Sequence, residues 1–127
     1  MFLSRVTHII DDTAISIPEH TKLADLARLL RRHKGEHPPV AVITSDGVLL
    51  GVVMRGLEPA LKSPHKPVSR IAKPPAHVVE AVDGAFEVVS KMLTSGLDVV
   101  AVLRNGKFEG LVTRRSVTRA FGEMSAV

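Results

Sequence analysis

The sequence predicts an α+β (α/β) fold built from two β-α-β-β-α repeats that pack by their sheets with pseudo-twofold symmetry. Two hairpin signals predict it: Asp46-Gly47 and Asn105-Gly106 each separate two runs of β-branched and apolar residues. A second glycine follows four residues after each turn glycine, at Gly51 and Gly110, and both pairs are related by one shift of 59 positions. This shared pattern indicates an internal duplication.

The strands of each repeat follow from the turn signals. The runs Val40–Ile43 and Val99–Val102 precede the two turns, and the runs 48–53 and 107–112 follow them. A short strand of alternating polarity is predicted before the first helix of each repeat, at Thr13–Ile17 and Ala76–Val79.

Each repeat has one amphipathic helix before its hairpin and a second helix after it. The first helix is predicted from an apolar stripe at positions i, i+3, i+6 and i+7. The stripe residues are Leu23, Leu26, Leu29 and Leu30 in one copy and Phe86, Val89, Met92 and Leu93 in the other. Thr21 and Asp83 are the predicted N-caps of these helices. The second helix is predicted from Leu57, Ala60 and Leu61 in one copy and from Val117, Ala120 and Phe121 in the other.

The chain divides by sequence into residues 1–62, the first repeat, residues 63–75, a linker, and residues 76–127, the second repeat. The linker is predicted from its four prolines, at positions 64, 67, 74 and 75. Proline lacks an amide hydrogen, so such a run continues neither a helix nor a central strand.

Composition limits the classes of function. Of the 127 residues, 45% are hydrophobic and 24% charged, as in ordinary globular proteins. The absence of cysteine excludes disulfides, thiolate metal sites and cysteine nucleophiles. The net charge of +4 is mild, and with only 3% aromatic residues nucleic-acid binding is not expected. The apolar runs are too short to cross a bilayer, so a cytoplasmic protein without a membrane segment is expected.

The arrangement resembles the cystathionine-beta-synthase (CBS) domain in its tandem pair, the Bateman module. In the first copy the resemblance is carried by His37–Val42, Asp46-Gly47 and Gly51–Val53; in the second by Leu97–Val102, Asn105-Gly106 and Gly110–Arg115. It implies a regulatory role. Such pairs bind adenine nucleotides (AMP, ADP, ATP) or S-adenosylmethionine, often as homodimers, and report to an attached or partner enzyme or transporter.

The family's ligand signature, Gly-apolar-apolar-Thr/Ser-x-x-Asp, is kept in part in the second copy. There the resemblance implies that Thr113 and Arg114 face a phosphate and that Ser116, in place of the Asp, faces the ribose. By the same layout the base lies between Ala76-His77-Val78 and Leu97-Asp98. The first copy has Met54 and Leu57 at the two signature positions, so its site is predicted to be lost. The alternative for Thr113 is a helix N-cap that binds no ligand.

Two classes of function remain open at this stage. The leading interpretation is a sensor that binds an adenosine-containing ligand mainly at the second-repeat site and requires no cofactor. The alternative is a ligand-free dimerisation or protein-interaction module of a larger enzyme or transporter. An enzyme is not expected, because no serine stands in a nucleophile motif and the carboxylates Asp11-Asp12 are interpreted as solvent-facing or capping residues. A metal site at His33 and His37 is not expected either, because Gly35 and Pro38 end the helix there.

Overall fold

The computed structural model describes residues 5–33, 37–54 and 62–125. They form two compact units. Thr13–Pro74 make up one, here the first-copy unit, while the residues up to Asp12 join Pro75 and the rest of the chain in the second-copy unit. The segment before the first strand of each copy therefore packs with the other copy. Repeat boundaries read from sequence do not reveal this exchange.

The first-copy unit is a three-stranded sheet with one described α-helix. Strands β1 (Ile15–Pro18) and β2 (Val40–Ile43) are parallel, and β2 pairs with the antiparallel β3 (Leu49–Val53), so the order is β1-β2-β3. Helix α1 (Leu23–Arg31) connects β1 to β2. The helix predicted at Leu57–Leu61 lies outside the described residues.

The second-copy unit repeats this topology and adds a described final helix. Its sheet has the order β4 (Val78–Glu80), β5 (Val99–Arg104) and β6 (Lys107–Thr113), with β4 and β5 parallel and β6 antiparallel to β5. Helix α2 (Ala85–Ser95) connects β4 to β5, and helix α3 (Arg114–Ser125) follows β6 directly. The two sheets with their helices confirm the predicted α+β fold of two repeats.

The β5–β6 hairpin has the geometry that its sequence predicts. Asn105 and Gly106 both have positive φ angles, 52° and 81°. Two successive positive φ angles are typical of the type I′ turn, and asparagine and glycine tolerate them best. The turn thus fixes the register in which β5 and β6 pair.

Each of the two exchanged segments, which lie before β1 and before β4, contains a short 3-10 helix. Val6–Ile9 buries Val6 and Ile9 in the core of the second-copy unit. Its counterpart Val68–Arg70 lies in the predicted linker and buries Val68 in the core of the first-copy unit. The proline-rich segment is therefore partly core-forming, because its one valine packs while the prolines leave the segment irregular.

The exchanged segments also explain the repeated second glycine of each hairpin. Beside Gly51, Lys73 exchanges two backbone hydrogen bonds with Val52, and a Cβ on Gly51 would lie 3.1 Å from the Lys73 backbone nitrogen. In the other unit, a Cβ on Gly110 would lie 2.6 Å from Ile10 Cγ2. Glycine leaves room for the crossing chain at both positions, whereas a larger residue would force Ile10 to shift at Gly110 and would crowd the Lys73 backbone at Gly51.

The predicted N-caps are wrong. Helix α1 begins after Lys22 and helix α2 after Gly84, and in neither case does a described side chain cap the helix. Asp83 instead accepts a hydrogen bond from the Glu80 amide at 2.9 Å, which closes the turn before α2. Thr21 uses its backbone carbonyl to accept from the Val68 amide at 2.7 Å.

The apolar stripe of α2 is shifted by one residue from the predicted one. The buried residues are Ala85, Val88, Val89 and Met92. Phe86 and Leu93, both in the predicted stripe, are 64% and 68% exposed. In α1 the prediction is correct for three of four leucines, and only Leu29 is exposed. Within the described ranges, no helix combines the length and the apolar character needed to cross a membrane.

Candidate functional site at the start of the last helix

The predicted binding residues of the second copy converge on one end of its sheet. In the register of the sheet, Val78 lies beside Ala101, and Thr113 lies beside Val99. The first residues of β4 and β5 and the last residue of β6 therefore lie at the same end. Helix α3 starts there, which brings its first amides to the same edge.

Thr113 and Ser116 form a reciprocal cap at the start of α3. The Ser116 amide donates to Thr113 Oγ1 at 3.1 Å, and the Thr113 amide donates to Ser116 Oγ at 2.9 Å. This is the geometry of a capping box, with serine in place of the usual Glu or Gln. Both side chains are buried. Thr113 is thus the N-cap of α3, and the contact of Thr113 with a ligand stays a prediction.

Asp11 is the third member of this cluster, and the interpretation of Asp11 as a solvent-facing residue is wrong. Its side chain is buried, with 4% of the residue exposed, and Asp11 Oδ2 accepts the hydroxyl hydrogen of Thr113 at 2.6 Å. The Asp11 amide donates to the Leu111 carbonyl at 2.7 Å, which holds the segment beside β6. A buried carboxylate is stable only when charged or polar groups compensate for the lost water, as they do here.

Three arginines of α3 each have an aspartate beside them. Arg115 Nη2 lies 3.5 Å from Asp11 Oδ2. Arg114 Nε donates to Asp98 Oδ1 at 3.0 Å, and Arg119 Nη1 to Asp12 Oδ1 at 2.6 Å; both of these pairs are exposed. Exposed pairs contribute little to stability, so these two mainly neutralise charge along the first turns of the helix.

The remaining predicted residues line the same sheet end without a described bond to Thr113 or Ser116. Ala76, Val78 and Asp98 are exposed, and His77 and Leu97 are partly buried. The His77 carbonyl accepts from the Ala101 amide at 3.1 Å, so its backbone is fixed by the sheet. These side chains leave an accessible surface at the predicted position of the base.

The corresponding site of the first copy lacks the hydroxyl group. Met54 is exposed at the position that corresponds to Thr113, and a thioether donates no hydrogen bond. Leu57, the counterpart of Ser116, lies outside the described residues. As to metals, the described part of the chain holds no cluster of three or more His, Cys, Asp or Glu side chains placed to bind an ion.

Comparison with known proteins identifies the family. The sequence profile of the CBS domain matches residues 6–56 and again residues 68–123. The chain belongs to the CBS domain family. The two matches correspond to the two repeats, and CBS pairs are typically regulatory modules. No curated protein sequence matches the chain.

Solved structures confirm the CBS-pair fold at low sequence identity. A putative acetoin utilization protein (AcuB) from Vibrio cholerae superposes with a TM-score of 0.78 at 18% identity, covering 98% of this chain and 95% of that one. Staphylococcus aureus OpuCA gives 0.74 at 19% identity, covering 94% and 98%. The CBS domain pair of protein MJ0100, in complex with 5′-methylthioadenosine and S-adenosyl-L-methionine, gives 0.72 at 19% identity, covering 96% and 98%.

Sequence reasoning missed Asp11 because the residue belongs by sequence to one copy and by packing to the other. One local signal was available. Val6 and Ile9, three residues apart, form an apolar pair directly before Asp11, and such a pair is typical of a packed turn. When Val6 and Ile9 pack in a core, the residues directly after them, including Asp11, are held next to the same folded unit.

Proposed function

We propose that this CBS pair is a regulatory sensor that binds an adenosine-containing ligand at the second-copy site. The observation that carries the proposal is the convergence of Ala76-His77-Val78, Leu97-Asp98 and the hydroxyl-capped start of α3 at one sheet end. The base contacts the first two segments, and the ribose approaches the side of α3 on which Ser116 lies. The adenosine ligands of the MJ0100 pair, which has the same fold, support this choice of ligand class.

The proposed mechanism is a shift of conformational population. A ligand that binds one arrangement of the chain more tightly than another raises the population of that arrangement. An attached or separate enzyme or transporter that contacts the pair then responds to the ligand concentration. The chain itself needs no catalytic group for this role.

A ligand panel tests the proposal. We expect one of AMP, ADP, ATP, S-adenosylmethionine and 5′-methylthioadenosine to raise the melting temperature, because a ligand at 100 times its Kd stabilises the folded state by about 2.7 kcal/mol. Differential scanning fluorimetry measures the shift, and isothermal titration calorimetry gives the Kd.

Two matched variants locate the site. Val78→Arg places a long charged side chain where the base is proposed to lie, at a residue that is 44% exposed. Val48→Arg makes the same change at a residue that is 40% exposed in the first-copy unit. We expect Val78→Arg to abolish the ligand-induced shift and Val48→Arg to keep it. A panel without any shift, or equal effects of the two variants, contradicts the proposal.

The exposed side of α2 favours a second role, self-association with another copy of this chain. Phe86 and Leu93 are exposed on α2, and Phe86 lines an apolar depression together with Ala85, Val89 and Phe121. Large apolar side chains grouped on one surface are typical of protein interfaces. The homodimer that the resemblance implies is proposed to use this surface.

Analytical ultracentrifugation tests this role. We expect Phe86→Ser to raise the dissociation constant of the dimer at least about tenfold, because apolar anchors dominate such interfaces. Leu50→Ser, on β3 of the other unit, removes a comparable exposed apolar side chain and serves as the control. A wild-type chain that remains monomeric at millimolar concentration would exclude the homodimer.

A further inference from the structure

We propose that Asp11 determines ligand specificity at the second-copy site, because it excludes a phosphate group from the start of α3. The site then takes an adenosine whose 5′ substituent is a thioether or a sulfonium, and it discriminates against AMP, ADP and ATP. This inference rests on the proposed function and states which members of the adenosine class bind.

The hydroxyl groups at the start of α3 have no hydrogen to give to a phosphate. Thr113 donates its hydroxyl hydrogen to Asp11 Oδ2, and Ser116 donates its own to the Thr113 carbonyl at 3.0 Å. Phosphate oxygens accept hydrogen bonds and need donors. A phosphate at Thr113 would therefore have to displace a carboxylate that already accepts the same hydrogen.

The charge at this end of the helix is already compensated. The start of a helix attracts an anion, and here that anion is the carboxylate of Asp11, next to Arg115. Arg114 and Arg119 face Asp98 and Asp12. A phosphate would add negative charge close to a buried carboxylate, where solvent and salt screen the repulsion less than at an exposed surface.

Asp11 is held in place by the residues before it and by its own amide. On its N-terminal side, Val6 and Ile9 are buried in the core of the second-copy unit. At the residue itself, the amide is bonded to Leu111 on β6. These contacts fix the backbone of Asp11, and its side chain, which is only 1% exposed, is held by Thr113 and Arg115. The carboxylate is therefore a constant part of the site.

A thioether or sulfonium avoids this conflict while keeping the contacts to base and ribose. A neutral thioether brings no charge to the region, and a sulfonium brings a positive one, which the carboxylates of Asp11 and Asp98 favour. The predicted order of affinity is thus 5′-methylthioadenosine and S-adenosylmethionine above AMP, ADP and ATP.

Calorimetric titration of wild type and Asp11→Asn with 5′-methylthioadenosine and AMP tests the proposal. Asparagine has nearly the shape of aspartate and can still accept the Thr113 hydrogen, so only the charge is lost. We expect wild type to bind 5′-methylthioadenosine at least about tenfold more tightly than AMP. In Asp11→Asn the affinity for AMP should rise on the order of tenfold or more, with that for 5′-methylthioadenosine changed less than about threefold.

Asp12→Asn is the matched control. It removes the same unit of charge one residue away, from an exposed pair with Arg119. Because exposed charges are screened by solvent and salt, the affinity for AMP should change less than about threefold. Equal effects of Asp11→Asn and Asp12→Asn, or equal affinities of wild type for the two ligands, would overturn the proposal.

Inorganic phosphate separates this inference from the proposed function. If no adenosine compound binds any variant, the proposed function fails, and phosphate titration still tests the role of Asp11. Nuclear magnetic resonance then follows the amides of Arg114, Arg115 and Ser116. Shifts with millimolar phosphate in Asp11→Asn alone support the exclusion of anions by Asp11. Shifts in wild type, or none in either protein, overturn it.

Discussion

Ile9→Ala is expected to lower the free energy of unfolding by about 2–5 kcal/mol, because it opens a cavity in a close-packed core. Ile9 is one of the largest fully buried side chains and belongs to the same apolar cluster as Val88, Val100 and Val112. A loss of this size is a large fraction of the roughly 5–15 kcal/mol that stabilises a typical domain. Chemical denaturation monitored by circular dichroism measures it.

Ile9→Ala should also destabilise the second-copy unit more than the first-copy unit. Although Ile9 belongs by sequence to the first repeat, it packs in the second-copy unit. Native-state hydrogen exchange should therefore show a larger loss of protection in β5 and β6 than in β2 and β3. Val82→Ala, at an exposed residue of the same unit, should change stability by less than about 0.5 kcal/mol. A loss for Ile9→Ala below about 1 kcal/mol, or one centred on β2 and β3, contradicts the exchange of segments.

The hairpins were predictable because their signals are local. Asp46-Gly47 and Asn105-Gly106 prescribe a turn through the backbone angles that these residues tolerate, whatever the rest of the chain does. The positive φ of Gly47, Asn105 and Gly106 agrees with this. In the second copy the two-residue loop Asn105-Gly106 fixes the pairing register of β5 and β6, whereas the loop between β2 and β3 is longer, with Ile43 and Leu49 as its closing pair.

The environment of Asp11 was not predictable in this way. A carboxylate is exposed by default, since burial removes its hydration. Here the compensating hydroxyl belongs to Thr113, 102 positions along the chain. The sequence suggested a hydroxyl at Thr113 for a phosphate, whereas the fold supplies an internal carboxylate as its acceptor. The hydroxyl motif was visible, but its partner depended on tertiary structure.

The register of α2 was ambiguous in the sequence. Two neighbouring stripes fit a helical period, one through Phe86, Val89, Met92 and Leu93 and one through Ala85, Val88, Val89 and Met92. The bulkier stripe was the predicted one. The structure buries the other, and Ala85, Val88 and Met92 then lie 62 positions after Leu23, Leu26 and Leu30. When a helix has two apolar faces and one of them stays exposed, side-chain size alone does not predict which face is buried.

Met92→Ala and Leu93→Ala distinguish the two stripes directly. Met92 is buried among the core residues of the second-copy unit, so its truncation should lower the unfolding free energy by about 2–5 kcal/mol at any protein concentration. Leu93 is exposed, and its truncation should cost less than about 1 kcal/mol in dilute protein, where α2 has no second copy against it.

The effects of the two variants on the melting temperature should depend differently on protein concentration. If Leu93 belongs to the self-association surface, Leu93→Ala weakens the dimer, and its effect on the melting temperature grows as wild type dimerises. Met92→Ala removes a contact inside one chain, so its effect stays constant over the same range. Equal losses for the two variants in dilute protein would instead support the bulkier stripe, with Leu93 packed in the core.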